Sequence, residues 1–174
     1  MTASDKRALV ITASTRASAG IWPDRSGPVL VDGLASLVSR VDGPVVVADG
    51  EPVAAALRAG VESGYDLIVT TGGTGLTPTD RTPEVTAALL SRQIPGIPEA
   101  LRAAGLAKGV PTAMLSRGLA GIARDTLIIN LPGSPGGVRD ALSVLTAVIP
   151  HALEQIHGGD HAREVTPPTT TLEP

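Results

Sequence analysis

"IVTTGGTGLTPTDRTPE", residues 68–84, decides how the rest of the chain is read. An apolar, β-branched run ends at Thr71, and three glycines follow within four positions. Hydroxyls, an aspartate and an arginine come next, and then "TPE", which has the features of a helix start. Pro83 suits a first turn, where its missing N–H is no loss, and Glu84 suits the positive end of a helix dipole. The pattern predicts Thr82 as N-cap of a helix through "TPEVTAALLSR". A strand that passes into a helix through bare glycines is a unit of a parallel α/β sheet, whose ligands gather at the carboxyl ends of the strands.

The same alternation extends in both directions. Upstream, "RALVITAS" (7–14) is a short buried strand by length and β-branching. In "SGPVLVDGLASLVSRVDG", Leu30, Leu34, Leu37, Val38 and Val41 fall on one helical face. "PVVVAD" is a second strand ending at Asp49, "EPVAAALRAGVESG" a helix, and "YDLIVTT" a third strand. Downstream, "PGIPEALRAAGLAKG" reads as a short helix, "TAMLSRGLAG" as a brief strand and turn, and "DTLIIN" as a strand. "SPGGVRDALSVLTAVIPHALEQIHG" reads as one long helix capped by Ser134. The expected fold is α/β, three-layer and Rossmann-like: a mostly parallel sheet with helices on both faces. Residues 1–159 form one domain, and the Pro/Thr-rich residues 160–174 are expected to be a flexible tail.

Composition narrows the function. Of 174 residues 43% are hydrophobic and 18% charged, which describes a globular domain with a real core. One Trp, one Tyr and no Phe mean that Val, Leu, Ile and Ala build that core. The net charge of −3 and the lack of a basic block argue against nucleic acid as a partner. With no cysteine there is no disulfide, thiolate metal site or cysteine nucleophile in this chain. No segment has the length of a membrane helix or a secretory h-region, so the expected setting is cytoplasmic with no membrane partner.

Four strand ends carry unusual loops that would open on one edge of the sheet: "TASTRASAG" with "WPDRSGP", Asp49, the glycine run, and "NLPGSPGG". Gly72, Gly73 and Gly75 let backbone N–H groups approach a ligand, and Thr70, Thr71, Thr74 and Thr77 add hydroxyls. With the start of the following helix this suits an anion such as phosphate. Asp80 would repel that anion unless a cation lies between them. Magnesium held by Asp80 and phosphate, with Asp49 as a second ligand, resolves the conflict. Taken alone, the glycines also describe a bare turn and Asp80 a turn aspartate bonding its own backbone. The familiar motifs fail: no lysine follows the glycines as in a P-loop, Pro78 stands where G-x-G-x-x-G needs its third Gly, and G-x-S-x-G is absent. Glu154 and His157 form E-x-x-H with His161 one turn on, and lacking further carboxylates they read as a solvated helix end. Trp22 has two open uses, packing over a ligand or making a subunit contact.

"TTGGTGLTPTDRTPE" (70–84) joined to "LSRGLAGIARDTLIINLPGSP" (115–135) resembles the MoaB/Mog family of molybdenum-cofactor biosynthesis proteins, with "PDRSGP" (23–28) and "PGIPEALR" (95–102) fitting the same pattern. The match is closest to the molybdopterin adenylyltransferases and runs from about Arg7 to Gly159. The resemblance implies a homotrimer that uses Mg2+ and ATP to adenylylate molybdopterin, releasing pyrophosphate, with hand-over to a molybdenum-insertion protein. The alternative it allows is a molybdopterin carrier without transfer. By the same resemblance Asp49 and Asp80 are the catalytic and metal-handling acids. Thr71, Gly72, Gly73, Thr74 and Gly75 are the nucleotide/phosphate loop. Ser14, Ser116, Arg117, Asn130, Pro132, Gly133 and Ser134 contact the substrate. In this chain Asp49 stands in "ADGE", which places a second acid, Glu51, two positions on.

Overall fold

The computed structural model describes residues 5–158, so the expected tail at 160–174 and His161 lie outside the described residues. Six strands form one sheet: β1 (Arg7–Ala13), β2 (Arg40–Val47), β3 (Leu67–Thr71), β4 (Arg92–Gln93), β5 (Ala120–Ala123) and β6 (Thr126–Leu131), in the order β2-β1-β3-β6-β5-β4. The first, second, third and sixth run parallel, while β5 pairs antiparallel with both β6 and β4. Among the described residues seven α-helices cover the sheet: α1 (Thr15–Ser18), α2 (Gly27–Leu34), α3 (Glu51–Glu62), α4 (Thr82–Ala87), α5 (Gly96–Ala107), α6 (Pro135–Leu145) and α7 (Ile149–Ile156).

Strand alternation sorts the core onto two faces. Ala8, Val10, Leu67, Val69, Leu127 and Ile129 pack with Leu30, Leu34, Val138, Leu145, Ile149 and Leu153 from α2, α6 and α7. Leu9, Ile11, Ile68 and Ile128 pack with Val53 and Leu57 from α3 and with Val85 from α4. Both faces of the central strands are thus covered, which is why those strands are mostly apolar, with Thr12, Thr70, Thr71 and Asn130 as buried polar exceptions towards their carboxyl ends.

Four expected boundaries move. The helix read through Arg92 ends at Ala87, capped by Ala88, and Arg92 with Gln93 forms edge strand β4. The helix read through Val41 ends at Leu34, capped by Ala35, and β2 already begins at Arg40. That strand runs through Gly43 and Pro44 because it is the sheet edge, where a missing N–H costs no ladder bond. The long helix read over 134–158 breaks between Leu145 and Ile149, since Pro150 lacks an N–H and would clash with the preceding turn. "TAMLSRGLAG" becomes a 3-10 turn at Pro111–Leu115 and then, after an extended stretch, strand β5.

Candidate functional site

Register brings the loops together. Thr12 pairs with Thr71, Ala13 with Val47, and Thr71 with Leu131, so Ser14, Asp49, Gly72 and Pro132 leave the sheet at nearly one level. The chain passes from β1 to β2 on one side and to β3 on the other, which makes the carboxyl ends of β1 and β3 a topological switch point.

The glycine run forms the wall between two cavities. The larger, about 610 Å³, opens at the switch point and is lined by Thr12, Ser14, Trp22, Asp24, Thr71, Gly72, Gly73 and Gly133, among others. The second, about 380 Å³, is lined by Thr74, Gly75, Leu101, Arg102, Val110, Leu115, Ser116, Asn130, Pro132, Ser134 and Asp140, among others. Both volumes suit small-molecule sites. Gly72 has φ +97 and lies so close to β1 that a Cβ would stand 2.3 Å from the Ala13 carbonyl. A Cβ on Gly73, at φ +63, would stand 2.0 Å from Asp49 Oδ2 and 2.3 Å from Thr82 Oγ1. No side chain fits at either position.

Asp49 and Asp80 line neither cavity, yet each backs one end of the glycine wall. Asp49 Oδ2 accepts from Arg81 N at 2.9 Å, while its Oδ1 accepts from Thr82 Oγ1 at 2.9 Å and from Gly50 N at 2.6 Å. Thr82 was expected to cap α4; instead it is the first helical residue, and the carboxylate that satisfies this end arrives from beyond β2. The helix end expected to greet a ligand therefore already faces Asp49. Asp80 accepts from Thr77 N at 3.2 Å, and a Cβ on Gly75 would lie 2.8 Å from its Oδ2.

The remaining polar residues are anchored by the fold. Ser14 caps α1 by accepting from Ala17 N at 3.2 Å, and Ser134 caps α6 by accepting from Gly137 N at 3.1 Å. Thr71 Oγ1 donates to the Pro132 carbonyl at 2.7 Å, joining the two loops. Buried Asn130 donates to Thr70 Oγ1 and Thr86 Oγ1, both at 3.0 Å, and accepts from Leu119 N at 3.1 Å. Ser116 faces the second cavity, with Gly118 N on its Oγ at 3.4 Å. Arg117 lines neither cavity: its guanidinium donates to the carbonyls of Gly75 at 2.8 Å and Asp80 at 2.7 Å and pairs with Glu84. Burial pushes the Glu84 carboxyl up, but its own amide and Arg117 outweigh that and hold it below the usual range.

Sequence reasoning missed the roles of Asp24, Arg102 and Asp140. Asp24 accepts from Thr12 Oγ1 at 2.7 Å and from the amides of Ser26 and Gly27 at 3.0 Å, tying β1 to the start of α2. Its place just before a helix was the available signal. Arg102 and Asp140, on α5 and α6, line the second cavity together only through the fold, Arg102 donating to the Ser116 carbonyl at 3.4 Å and Asp140 pairing with Lys108 at 2.6 Å, and no local pattern marks them.

A family model described as a probable molybdopterin binding domain matches residues 9–151. The chain belongs to the MoaB/Mog family. A molybdopterin adenylyltransferase of Helicobacter pylori is 40% identical over 156 residues, covering 86% of both chains. The Mog protein structure from Mycobacterium ulcerans superposes with TM-score 0.82 at 54% identity, covering 87% of this chain and 99% of that one. A bifunctional molybdenum cofactor biosynthesis protein of Synechococcus elongatus is 42% identical over 156 residues, and there the match spans 88% of this chain but 48% of the relative. The chain thus spans about half the length of that bifunctional relative. Among the described residues no helix is long and apolar enough to cross a membrane.

Proposed function

We propose that the protein is a Mg-ATP-dependent molybdopterin adenylyltransferase acting in the cytoplasm as a homotrimer, and that it passes its product to a molybdenum-insertion protein. The observation that carries this reading is the glycine wall itself: two adjoining cavities meet along one strip of bare backbone, with one carboxylate behind each end. Two substrates in adjoining cavities would have their reacting phosphates meet at that strip. The terminal phosphate oxygen of molybdopterin then attacks the α-phosphorus of ATP, the bond to the β-phosphate oxygen breaks, and pyrophosphate leaves with the electron pair. The attacking oxygen is already anionic, so no general base is required, and positioning with charge neutralisation supplies the rate.

The donor set fits magnesium. Asp49 and Asp80 offer hard oxygens beside bare backbone, and a Mg2+ site of two carboxylates completed by phosphate and water is ordinary. Bound there, the ion would neutralise phosphate charge. Gly72 and Gly73 would present amides to the phosphates, Arg117 would keep Gly75 and Asp80 in place, and Ser116 and Ser134 would meet the pterin.

Pyrophosphate release from ATP, measured with and without molybdopterin, tests the reading. Release that depends on both is expected, and Asp80→Ala should lower it by about a hundredfold or more while the thermal midpoint stays near wild type. Unchanged turnover in that variant removes the metal role. Tight pterin binding without release makes the protein a carrier. Light scattering on the same sample should give three times the chain mass, and a monomer would count against the assembly.

A further inference from the structure

The chain's one tryptophan stands where no core needs it. Trp22 is 59% exposed beside Ile21 at 68%, on the loop from α1 to α2, and it lines the larger cavity. That loop is pinned at both ends. The amides of Ile21 and Trp22 both donate to the Arg16 carbonyl, at 2.9 and 3.4 Å, and the Asp24 carboxylate fixes the next turn through Thr12, Ser26 and Gly27. Arg16 lies over the indole, 4.5 Å from the ring centroid. A guanidinium there holds the ring by cation–π attraction and occupies one face, leaving the other as an apolar plate. The cavity that this plate borders continues to Thr71, Gly72 and Gly73. Tyr65, the only other member of the Phe, Tyr and Trp set, lies under Arg7, donates to Asp42 and lines neither cavity.

We propose that Trp22, backed by Arg16, is the stacking platform for the adenine ring of ATP, so that the larger cavity takes the nucleotide and the second takes the pterin. The inference rests on the adenylyl-transfer reading and adds to it a specificity residue and an assignment of the cavities. A base stacks on an aromatic side chain through its π-face, while bare amides at Gly72 and Gly73 lie further along the same cavity to meet the phosphates. The second cavity offers no aromatic plate. It offers instead the apolar wall of Leu101, Val110 and Leu115 with Arg102 and Asp140.

Because Trp22 is the sole tryptophan, its emission reports on this spot without a label. ATP and AMP should quench it, and inorganic tripolyphosphate, which has no base, should not. Equilibrium dialysis with labelled ATP should find Trp22→Ala on the order of tenfold weaker than wild type, and Trp22→Tyr within about twofold. The KM for ATP should rise in the alanine variant far more than kcat falls, with the KM for molybdopterin unmoved. ATP that binds wild type without changing the emission, and binds Trp22→Ala equally well, refutes the platform and leaves the adenylyl-transfer reading standing. Quenching by molybdopterin in place of ATP overturns the cavity assignment. A change of oligomeric mass in Trp22→Ala with ATP affinity kept makes the residue a subunit contact and also overturns it. Wild type that binds no ATP by dialysis removes the adenylyl-transfer reading, and the platform falls with it.

Discussion

At the amino ends of the strands, Lys6 Nζ lies 3.1 Å from Asp66 Oδ1, and His157 Nε2 lies 2.8 Å from the same oxygen. At the carboxyl ends, neither Asp49 nor Asp80 forms an ion pair among the described residues; amides and a hydroxyl hold them instead. Both rims carry aspartates in the segments that flank parallel strands, yet Asp66 is ion-paired within the protein and Asp49 and Asp80 are not. A matched carboxylate fastens structure: Asp66 joins the segment before β1, the start of β3 and the end of α7. An unmatched pair beside bare backbone is where the proposed cation would sit. The E-x-x-H pattern in α7 belongs to the first rim, where His157 serves as a fastening and Glu154 stays exposed.

The comparison breaks most visibly at Gly73. A Cβ there collides with Asp49 and Thr82 and must also hold φ +63. Gly73→Ala should shift Asp49 and the loop together, lower pyrophosphate release by about a hundredfold, and cost about 2–3 kcal/mol in a urea melt. Wild-type release from this variant would mean that the glycine wall is not where the phosphates meet.

Asp66 should give the opposite pattern. Asp66→Ala leaves Lys6, only 3% exposed, without its carboxylate, and should cost about 3 kcal/mol in stability with release little changed below the melting range. The pH dependence has a fixed sign. Burial pushes the Asp66 carboxyl up, but the Arg7 amide, the Lys6 ammonium and His157 outweigh it and hold it below its usual value. A depressed folded-state pKa contributes stability that is complete above the unfolded value, about 3.9, and is lost as pH falls through the folded one. Urea midpoints between pH 5 and 3 should therefore fall more steeply for wild type than for Asp66→Asn. Parallel slopes would show that this rim's charge matching adds nothing.

How far the sequence revealed each rim follows from how local its causes are. Strands β1, β3 and β6 are buried on both faces and so appear as short, mainly apolar runs. Edge strand β2 is half-exposed and carries Gly43 and Pro44, so its first residues resemble a helix tail. The α6–α7 break hides because Val138, Ala141, Leu145, Ile149 and Leu153 keep helical spacing across it. At the site, the glycine run and the four loops are local and legible. Asp49 capping a helix more than thirty residues away, Arg117 clamping Gly75 and Asp80, and Arg102 and Asp140 lining one cavity are products of tertiary structure, and no short window contains them.

The smallest effect belongs to Glu51, the acid two positions beyond Asp49. If the unmatched rim needed any nearby carboxylate, Glu51 would be the natural reserve. The structure puts it in a different class: it is the first residue of α3, its side chain is 75% exposed, and it pairs with Arg58 along the helix surface. Exposed pairs of that kind contribute about 0–1 kcal/mol. Glu51→Gln should therefore change stability by less than about 0.5 kcal/mol and pyrophosphate release by less than about twofold. Asp49→Asn should lower release far more, because an amide cannot accept at both oxygens from Arg81 N and Thr82 Oγ1 and carries no charge for a metal. A tenfold loss in Glu51→Gln would instead enlarge the set of acids that act at this rim, and would move the boundary between matched and unmatched charge from the sheet edge onto the helix.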